Sequence, residues 1–289
     1  MGSINIKITN WASAPLWDFL KWKLDQFCIK DKKVSDICVE IQNCISEKFI
    51  LPQDKYQILF KEKRGFFDWI VVRSLNGDLF YSLVRRSRNS RYLLYRVQEN
   101  GEKIFLLEDK TESNGQAAFE YLGRIIPNVF LQHNMLTFHG VLMEYEGKGI
   151  IISADSGTGK TTHARLWRDS RNALIINGDR AVCQKQGNTW IGIGTPWSGT
   201  SGEQINRQVN IRVVVVLERD KKNEAEHMTE MEAFGALLPQ IQYPAWDVEL
   251  AGKMMELLGD FLTEIPIIRL KCRPDLDAVN TLECMLEEL

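Results

Sequence analysis

The sequence predicts an α/β protein, α+β overall, with a β-rich N-terminal region at residues 1–112 and a mixed-sheet domain at residues 113–289. Three observations support this fold class. Short alternating segments fill the first 110 residues, as in antiparallel sheets. Helical patterns then alternate with apolar strands, as in α/β domains. A glycine-rich loop also lies between an apolar strand and a helix.

The N-terminal region reads as a series of short strands. Alternating segments occur at residues 4–8, 37–41, 56–60, 69–72, 79–84, 91–97 and 103–107. The turn sequences Asn76-Gly-Asp and Glu99-Asn-Gly-Glu separate neighbouring segments. We expect an antiparallel meander, interrupted by a short helix within residues 14–27. The region could dock the substrate. The polar segment 111–116 marks the expected domain boundary.

The second region combines strands and helices. Predicted strands are 141–146, 149–153, 173–177, 190–194, 211–217 and 266–270, and predicted helices are 117–136, 161–169, 230–241, 247–262 and 275–288. Pro127 would kink the first helix. Gly147 and Lys148 are expected to form the tight turn between the first two strands.

Bulk composition excludes several classes of function. The 289 residues carry a formal net charge of -2, which argues against nucleic acid as the main partner. No apolar run is long enough to cross a bilayer, and no signal-peptide core is present at Met1. The six cysteines form no C-x-x-C pair, so we expect free thiols in the cytoplasm rather than zinc ligands. The oligomeric state is open, a homo-oligomer included.

A glycine-rich loop (residues 154–159) follows the apolar strand at Ile150. Gly159, Lys160 and Thr161 match the end of the phosphate-binding template G-x-x-x-x-G-K-[ST], while Ala154 stands at its first glycine position. The order of strand, loop and helix is the context that this template requires. The predicted nucleotide-binding residues are Asp155, Ser156, Gly157, Thr158, Gly159, Lys160, Thr161 and Thr162.

These residue types suit a nucleoside triphosphate, and we expect ATP with Mg²⁺. Gly157 and Gly159 can adopt positive φ, which turns successive N–H groups toward phosphate oxygens. The helix N-terminus adds partial positive charge. Lys160, expected in a solvated cleft, would contact the β- and γ-phosphates, and Thr161 would offer its hydroxyl to Mg²⁺.

His139 is a candidate catalytic residue because of its place in the predicted hairpin. With Gly147 and Lys148 in the turn, the register places His139 opposite Ser156. An imidazole there could orient a nucleophile or stabilise transferred charge, or it could cap the hairpin structurally. The other three histidines, for which a structural role is expected, are His133, His163 and His227.

Asp179 follows the strand at 173–177, which we expect to run parallel to the strand at 149–153. The carboxyl ends of both strands then meet at one crevice. Asp179 could hold Mg²⁺ or accept a proton from a substrate hydroxyl, or it could belong to a turn. Arg180 could pair with Asp179 or face phosphate.

Residues 195–203 form a second polar loop. Its candidate substrate-contacting residues are Trp197, Ser198, Gly199 and Thr200, together with Arg180. The composition fits a mobile lid or substrate loop, and equally a surface loop attached through Trp197.

Five arginines fall within one predicted hairpin of the N-terminal region. They are Arg85, Arg86, Arg88, Arg91 and Arg96. The group could dock an acidic peptide or could simply be a solvated hairpin face.

Three motifs together resemble the catalytic core of HPr serine kinase/phosphorylases. They are His139-Gly-Val-Leu, the stretch 149–162 and Asn177-Gly-Asp-Arg, within roughly residues 130–220. The resemblance implies a fold related to phosphoenolpyruvate carboxykinase, with His139 and Asp179 catalytic and Asp179 also near the metal. The chain looks closer to the stand-alone kinases of peptide-modification pathways, such as lasso-peptide precursor kinases.

The sequence departs from that family at several points. Gly178 replaces the first aspartate of the family's acidic pair, which leaves the general base open. The C-terminal arginine segment rich in proline and glycine is not found, and the N-terminal half does not resemble the family's N-terminal domain. The resemblance implies a phosphotransferase acting on a serine-type hydroxyl of a peptide or protein. The alternatives are a small-metabolite kinase and a nucleotide-binding sensor without catalysis.

Overall fold

The computed structural model describes residues 6–9, 21, 23–27, 37–43, 56–87, 90–99, 103–108 and 115–289. The chain forms two compact units, Met1–Val129 and Phe130–Leu289. The predicted boundary between residues 112 and 113 lies outside the described residues, and so does most of the predicted helix within 14–27. A 3-10 turn at Asp25–Phe27 is described at the end of that segment.

The described residues of the first unit form a seven-stranded sheet. Its strands are β1 (Ile6–Thr9), β2 (Ile37–Asn43), β3 (Tyr56–Arg64), β4 (Phe67–Ser74), β5 (Leu79–Arg85), β6 (Ser90–Val97) and β7 (Lys103–Glu108). The spatial order is β1-β2-β7-β6-β5-β4-β3. Strands β3 to β7 pair antiparallel with their sequence neighbours, so the predicted meander is confirmed for these five strands.

The two strands at the start of the chain depart from the prediction. β1 pairs with β2, and β2 pairs with β7, in parallel rather than antiparallel. Parallel partners are joined by long connections, and alternation within a segment identifies a strand without specifying its partner. The meander pattern therefore could not place β1 and β2.

The first unit buries apolar side chains between the sheet and the helix α1 (Gly115–Gln132). Buried members include Val71, Tyr81, Tyr95, Ile104, Phe119 and Tyr121. The Tyr95 hydroxyl donates to the Ala118 carbonyl across 2.7 Å, so its polar end is satisfied within this core.

The second unit contains a mixed sheet with helices. Its strands are β8 (Met135–Tyr145), β9 (Lys148–Ser153), β10 (Leu174–Asn177), β11 (Arg180–Gln186), β12 (Thr189–Ile193), β13 (Gln208–Arg219), β14 (Glu224–His227) and β15 (Ile267–Cys272). Its helices are α2 (Lys160–Arg171), α3 (Glu230–Leu237), α4 (Val248–Glu264) and α5 (Leu276–Glu287). Side chains of Thr229, Asp247 and Asp275 accept backbone N–H groups at the starts of α3, α4 and α5. The predicted α/β fold class is confirmed.

Two long strands organise this sheet. β8 pairs with β10 and β11 on one edge and with β9 on the other. β13 pairs with β12 through its first residues and runs parallel to β9 further along. Because β9 and β10 are both antiparallel to β8, they run in the same direction, as predicted, with β8 lying between them. Their carboxyl ends face the same edge of the unit.

Successive residues of β9 point into two different apolar cores. Ile151 packs in the core that contains Phe138, Trp190 and Phe261. Ile150 and Ile152 pack in the core that contains Trp167 of α2. A strand buried on both faces is expected to be continuously apolar, which explains the isoleucine run before the glycine-rich loop.

The β8–β9 turn differs from the predicted one by two residues in register. Tyr145 pairs with Lys148, so Glu146 and Gly147 are the turn residues rather than Gly147 and Lys148. Their φ angles are 51° and 71°, which is the positive-φ pair of a type I′ turn. That turn type matches the twist of the flanking strands, and it places glycine second rather than first.

Other boundaries also shift. α1 passes through Pro127 and ends at Gln132, because Asn134 adopts a φ of 56° and the chain turns into β8. The predicted helical end at residue 136 is therefore wrong. The sequence patterns also missed β11 and β14. β14 is short and polar, and it pairs only through β15.

Candidate active site

The glycine-rich loop connects β9 directly to α2. Gly157 and Gly159 have φ angles of 80° and 123°, so both occupy the positive-φ conformations expected from the sequence. The Thr158 amide donates to the Asp155 carbonyl at 3.2 Å, and α2 begins after Gly159 without a side-chain cap. Uncapped N–H groups at a helix start are the groups that an anionic ligand satisfies.

Lys160 is the first residue of α2. We predicted that it would lie in a solvated cleft, but it is buried, with only 8% of its surface exposed. Its Nζ donates to the carbonyl oxygens of Ala154 at 2.8 Å and Asp155 at 3.2 Å. Burial lowers the pKa of Lys160, and the carboxylates of Asp179 and Asp155 act in the opposite direction. The two carbonyl oxygens solvate the ammonium group inside the loop.

His139 lies beside this lysine, although not at the predicted register. Gly140 pairs with Ser153, so His139 is next to Ala154, and its predicted position opposite Ser156 is wrong. The error follows from the two-residue shift of the β8–β9 turn. The Nε2 atom of His139 nevertheless lies 3.1 Å from Nζ of Lys160.

Neighbouring charges define the protonation of His139. Its Nδ1 atom lies 3.6 Å from Oδ1 of Asp179. Because the Lys160 ammonium can only donate, the facing Nε2 atom must accept, and the proton of the neutral imidazole then resides on Nδ1. Burial and the Lys160 charge lower the pKa of His139, while Asp179 opposes this and Arg180 adds to it. These effects favour a neutral ring between Lys160 and Asp179.

Asn177, the first residue of the Asn177-Gly-Asp-Arg motif, had no predicted role of its own and shapes the turn that presents Asp179. Its Oδ1 atom accepts the amide of Asp179 at 3.0 Å and that of Arg180 at 2.8 Å. Its Nδ2 atom donates to the carbonyl oxygens of Thr195 and Trp197 at 3.0 and 3.1 Å. The Asx turn thus belongs to Asn177, and the carboxylate of Asp179 is left to face the crevice.

Asp179 and Arg180 are held next to His139 by strand pairing. The Asp179 carbonyl accepts the Gly140 amide at 2.9 Å, and Arg180 pairs with His139 in the β8–β11 ladder. Nε of the buried Arg180 lies 3.6 Å from Oδ2 of Asp179. Arg180 was expected either to pair with Asp179 or to face phosphate, and in the structure it lies beside Asp179.

Gly178 has no space for a side chain. A Cβ atom there would lie 2.2 Å from Oγ of Ser201 and 3.4 Å from Cβ of Glu203. The φ of Gly178 is not among the positive values, so the obstacle is the neighbouring loop rather than the backbone. An acidic side chain at this position is therefore incompatible with loop 195–203 as it is placed.

Loop 195–203 lies directly on the Asp179 carboxylate. A Cβ atom on Gly199, whose φ is 57°, would lie 2.5 Å from Cγ of Asp179. Trp197 and Ser198 are buried, and the Ser198 hydroxyl donates to Oε1 of Gln204 at 2.9 Å. Thr200 is exposed at the loop surface. The four candidate residues of this loop thus divide into a buried pair, a glycine packed on Asp179 and one exposed hydroxyl.

Two further residues contact the glycine-rich loop and were missed from the sequence. Arg219, at the end of β13, donates through Nε to the Thr158 carbonyl at 3.0 Å and also to the Gly157 carbonyl. Gln240 donates to Oδ1 of Asp155 at 2.8 Å. The apolar run at 211–217 indicated this position, because Arg219 follows it, β13 runs parallel to β9, and the carboxyl ends of the two strands meet at the loop.

The remaining loop residues have different exposures. Ser156 and Thr162 are exposed, while Thr161 is half-buried in the first turn of α2. A hydroxyl at Thr161 and the carboxylate of Asp179, whose side chain is 28% exposed, are oxygen donors of the kind that Mg²⁺ takes. The described part of the chain contains no group of three or more His, Cys, Asp and Glu side chains suited to a metal. Mg²⁺ is commonly held by one or two protein oxygens and completes its shell with water and phosphate oxygens.

The other histidines lie outside this cluster. His163 is buried in α2 and accepts a hydrogen bond from Trp167 Nε1 at 3.1 Å. Burial lowers the pKa of His163 to about 4, so it is a neutral packing residue. His227 lies in β14, and His133 follows the end of α1.

Three of the five arginines predicted as one group lie near partners within the first unit. Arg96 binds the buried Asp78 at 2.7 Å through Nε, and Arg86 lies 3.7 Å from Asp68. The Arg85 guanidinium lies 5.9 Å from the centre of the Phe67 ring. Position 88 and the side chain of residue 91 lie outside the described residues. Part of the predicted basic face is therefore neutralised within its own unit.

Comparison with known proteins gives a limited result. No protein-family model matches the chain, and no curated protein matches it. One similar solved structure is that of the Hpr(Ser) kinase/phosphatase from Coxiella burnetii, with 12% identity and a TM-score of 0.32. The match covers 52% of this chain and 98% of that chain. Among the described residues, no helix has the length and apolar character needed to cross a bilayer.

Proposed function

We propose that this chain is a Mg²⁺-dependent kinase that transfers the γ-phosphoryl group of ATP to a serine-type hydroxyl of a peptide or protein. The supporting observation is the contact series from Lys160 Nζ to His139 Nε2 and from His139 Nδ1 to Asp179, at 3.1 and 3.6 Å. This series lies at the end of a glycine-rich loop with two positive-φ glycines and an uncapped helix.

The loop and Lys160 bind the nucleotide phosphates. The N–H groups at the start of α2 offer donors and partial positive charge to the phosphate oxygens. Lys160 exchanges its contacts with the carbonyls of Ala154 and Asp155 for contacts with phosphate. Arg219 supports this arrangement, because it occupies the carbonyl groups of Gly157 and Thr158 and thereby keeps the loop in a shape that favours anions.

His139 receives the proton of the acceptor. Once Lys160 turns toward phosphate, Nε2 of His139 has a free lone pair, and it takes the hydroxyl proton as the acceptor oxygen bonds to the γ-phosphorus. The bond from that phosphorus to the β,γ-bridging oxygen breaks, and ADP leaves. Asp179 stabilises the imidazolium that forms, in the manner of a carboxylate that orients a histidine base.

Thr161 and Asp179 supply oxygens suited to Mg²⁺. The bound ion would neutralise charge on the phosphates, which is the chemistry that metal ions contribute in phosphoryl transfer. This role for Asp179 is compatible with its contact to His139, because a carboxylate has two oxygens and several lone pairs.

Loop 195–203 is the proposed acceptor-binding element. Gly199 brings its backbone onto Asp179, and Thr200 is exposed beside it, so an incoming hydroxyl would approach between this loop and His139. The choice of a peptide or protein as acceptor comes from the sequence resemblance to HPr-kinase-like proteins of peptide-modification pathways.

The test is phosphoryl transfer by the purified chain with Mg²⁺ and γ-labelled ATP or GTP. Separate reactions contain a mixture of serine-containing peptides, a mixture of small hydroxylated metabolites, or no acceptor. Label in peptide supports the proposal. Label only in metabolites would favour the small-metabolite kinase, and nucleotide binding without any transfer would favour the sensor.

The Asp179→Asn variant tests the assignment of the site. The amide keeps the shape of the side chain and removes its charge, so both Mg²⁺ dependence and transfer rate should weaken, with transfer falling by about 10²-fold or more. If only thermal stability changes, Asp179 is a turn residue and this part of the proposal is wrong.

A further inference from the structure

Loop 195–203 is attached at its end to the helix that follows the glycine-rich loop. The carboxylate of Glu203 accepts from Arg168 Nη1 at 2.9 Å and from Arg165 Nη2 at 3.3 Å. Both arginines belong to α2, which begins at Lys160. They are three residues apart and so share one face of the helix.

The same glutamate also contacts the turn that carries Asp179. Its backbone carbonyl accepts the Gly178 amide at 2.9 Å, and its own amide donates to the Ser201 hydroxyl at 3.2 Å. Glu203 therefore contacts three parts of the site at once: helix α2, the turn at Gly178 and loop 195–203 itself. Its side chain is 20% exposed, whereas those of Arg165 and Arg168 are 47% and 45% exposed, so solvent screens the two ion pairs from the arginine side.

We propose that Glu203 is a positioning residue that links helix α2 to loop 195–203 and so transmits nucleotide binding to the acceptor side of the site. This inference rests on the proposed function, because it assigns the two sides to nucleotide and acceptor. Glu203 acts through Gly199 and Asp179 rather than on the reacting atoms. A nucleotide that orders the start of α2 would also order the loop through Arg165 and Arg168.

The chain offers a matched control on the same helix. Arg171, near the end of α2, binds Glu283 through Nε and Nη2, both at 2.7 Å. This pair joins α2 to α5 and does not involve loop 195–203. Glu203→Gln and Glu283→Gln each remove one carboxylate charge that faces arginine on α2. Glu203 lies in loop 195–203, whereas Glu283 lies in α5 and also accepts from the Tyr145 hydroxyl.

Hydrogen exchange with and without a non-hydrolysable ATP analogue and Mg²⁺ tests the link. In the wild type and in Glu283→Gln, the analogue should slow exchange in both 154–159 and 195–203. In Glu203→Gln, it should slow exchange in 154–159 only, and loop 195–203 should exchange faster even without nucleotide. Equal protection of loop 195–203 in Glu203→Gln and wild type would overturn the proposal.

Kinetics distinguish positioning from a general loss of structure. With peptide acceptor, Glu203→Gln should lower kcat by about 10- to 100-fold, as expected when reacting groups shift by up to about 1 Å, and leave the KM for ATP unchanged. Combining it with Arg165→Gln should add little, because both changes remove the link between Glu203 and α2. Additive losses would contradict the link.

A failure of the proposed function gives a different result. If the ATP analogue protects neither 154–159 nor 195–203 in the wild type, nucleotide binding itself is rejected, and the transmission proposal falls with it. If 154–159 is protected but loop 195–203 is not, nucleotide binding stands and only the role of Glu203 is rejected.

Discussion

The glycine-rich loop and loop 195–203 meet at Asp179 and His139, yet different forces shape them. The glycine-rich loop owes most of its form to neighbours in sequence: an apolar strand, two positive-φ glycines and the first turn of α2. Arg219 and Gln240 add hydrogen bonds to it from elsewhere in the chain. Loop 195–203 owes its form to residues elsewhere in the chain, chiefly Asn177 and the arginines of α2. A ligand that binds backbone groups needs a loop shaped by its own local sequence. A selective acceptor site needs side chains brought together from distant parts of the chain.

This difference distinguishes the binding of phosphate from the positioning of the acceptor hydroxyl. Phosphate can be held by main-chain amides that any sequence with the right glycines provides. The orientation of an acceptor hydroxyl depends on side chains such as Asp179 and His139, which must be held to within a fraction of an ångström. Changes to the residues that bind phosphate should therefore affect nucleotide affinity, and changes to the residues that orient the acceptor should affect turnover.

The largest effect is expected from Lys160→Met, which keeps the aliphatic volume of the buried side chain and removes the ammonium. Nucleotide binding and turnover should both be lost, with transfer falling by at least about 10²- to 10³-fold, because the charge facing the phosphates is gone. Calorimetric titration with ATP and the transfer assay measure the two quantities. Lys185→Met, which removes a half-buried charge paired with Asp260 and Glu264, serves as control. Full activity in Lys160→Met would refute the assignment of the glycine-rich loop.

His139→Ala should impair phosphoryl transfer and leave nucleotide binding intact. We expect transfer to fall by about 10²- to 10⁴-fold, the usual contribution of a positioned acid–base group. Affinity for ATP should be nearly kept, because the loop amides and Lys160 are intact. Single-turnover kinetics and nucleotide titration measure the two effects. A variant that loses affinity and rate to the same degree would show that His139 mainly shapes the phosphate side.

The same distinction explains how much could be predicted from the sequence. Local patterns identified most strands and helices of the second unit, the glycine-rich loop, and the meander from β3 to β7. The hairpin register was wrong because Glu146-Gly147 and Gly147-Lys148 are both plausible two-residue turns, and only the paired strands choose between them. His139 nevertheless lies beside Lys160, because its strand β8 runs alongside β9 to the start of the glycine-rich loop.

Contacts made over long sequence separations were not predictable. Nothing near Gly178 in sequence indicates that Ser201 would occupy the space of its side chain. Asn177 was passed over because its role depends on the carbonyls of Thr195 and Trp197. Arg219 and Gln240 likewise reach the glycine-rich loop from distant elements.

Two glycines of the site should respond differently to alanine. At Gly157 a Cβ would meet no atom within 4 Å, but its φ is 80°, so Gly157→Ala should cost about 1–2 kcal/mol through backbone strain. At Gly178 the φ is ordinary and the Cβ would overlap Ser201, so Gly178→Ala should cost about 1–3 kcal/mol through overpacking. Thermal and chemical unfolding measure both changes.

A second substitution separates these two causes. Ser201→Gly removes the two atoms closest to a Cβ at position 178, Oγ and Cβ of Ser201, so it should restore much of the stability and turnover of Gly178→Ala. It should not rescue Gly157→Ala, whose defect lies in its own backbone. Ser201→Gly alone provides the reference for both double variants. Equal rescue of the two, or of neither, would mean that loop 195–203 does not restrict Gly178 in solution.

The smallest effect is expected at Glu283, away from both loops. Hydrogen bonds from Arg171 and Tyr145 lower the pKa of the Glu283 carboxyl below its ordinary value of 4.5, although burial acts in the opposite direction. A carboxyl whose pKa is lowered by folding adds stability above its unfolded-state pKa, and that stability is lost as pH falls through the folded-state value. Glu283→Gln should therefore lower the melting temperature at pH 7 by less than about 4 °C, since such pairs are partly screened by solvent. The gap between variant and wild type should narrow below about pH 4.5, where the Glu283 carboxyl of the unfolded chain begins to protonate while that of the folded chain stays charged. A gap that stayed constant down to pH 3 would show that the effect comes from packing rather than from the ion pair.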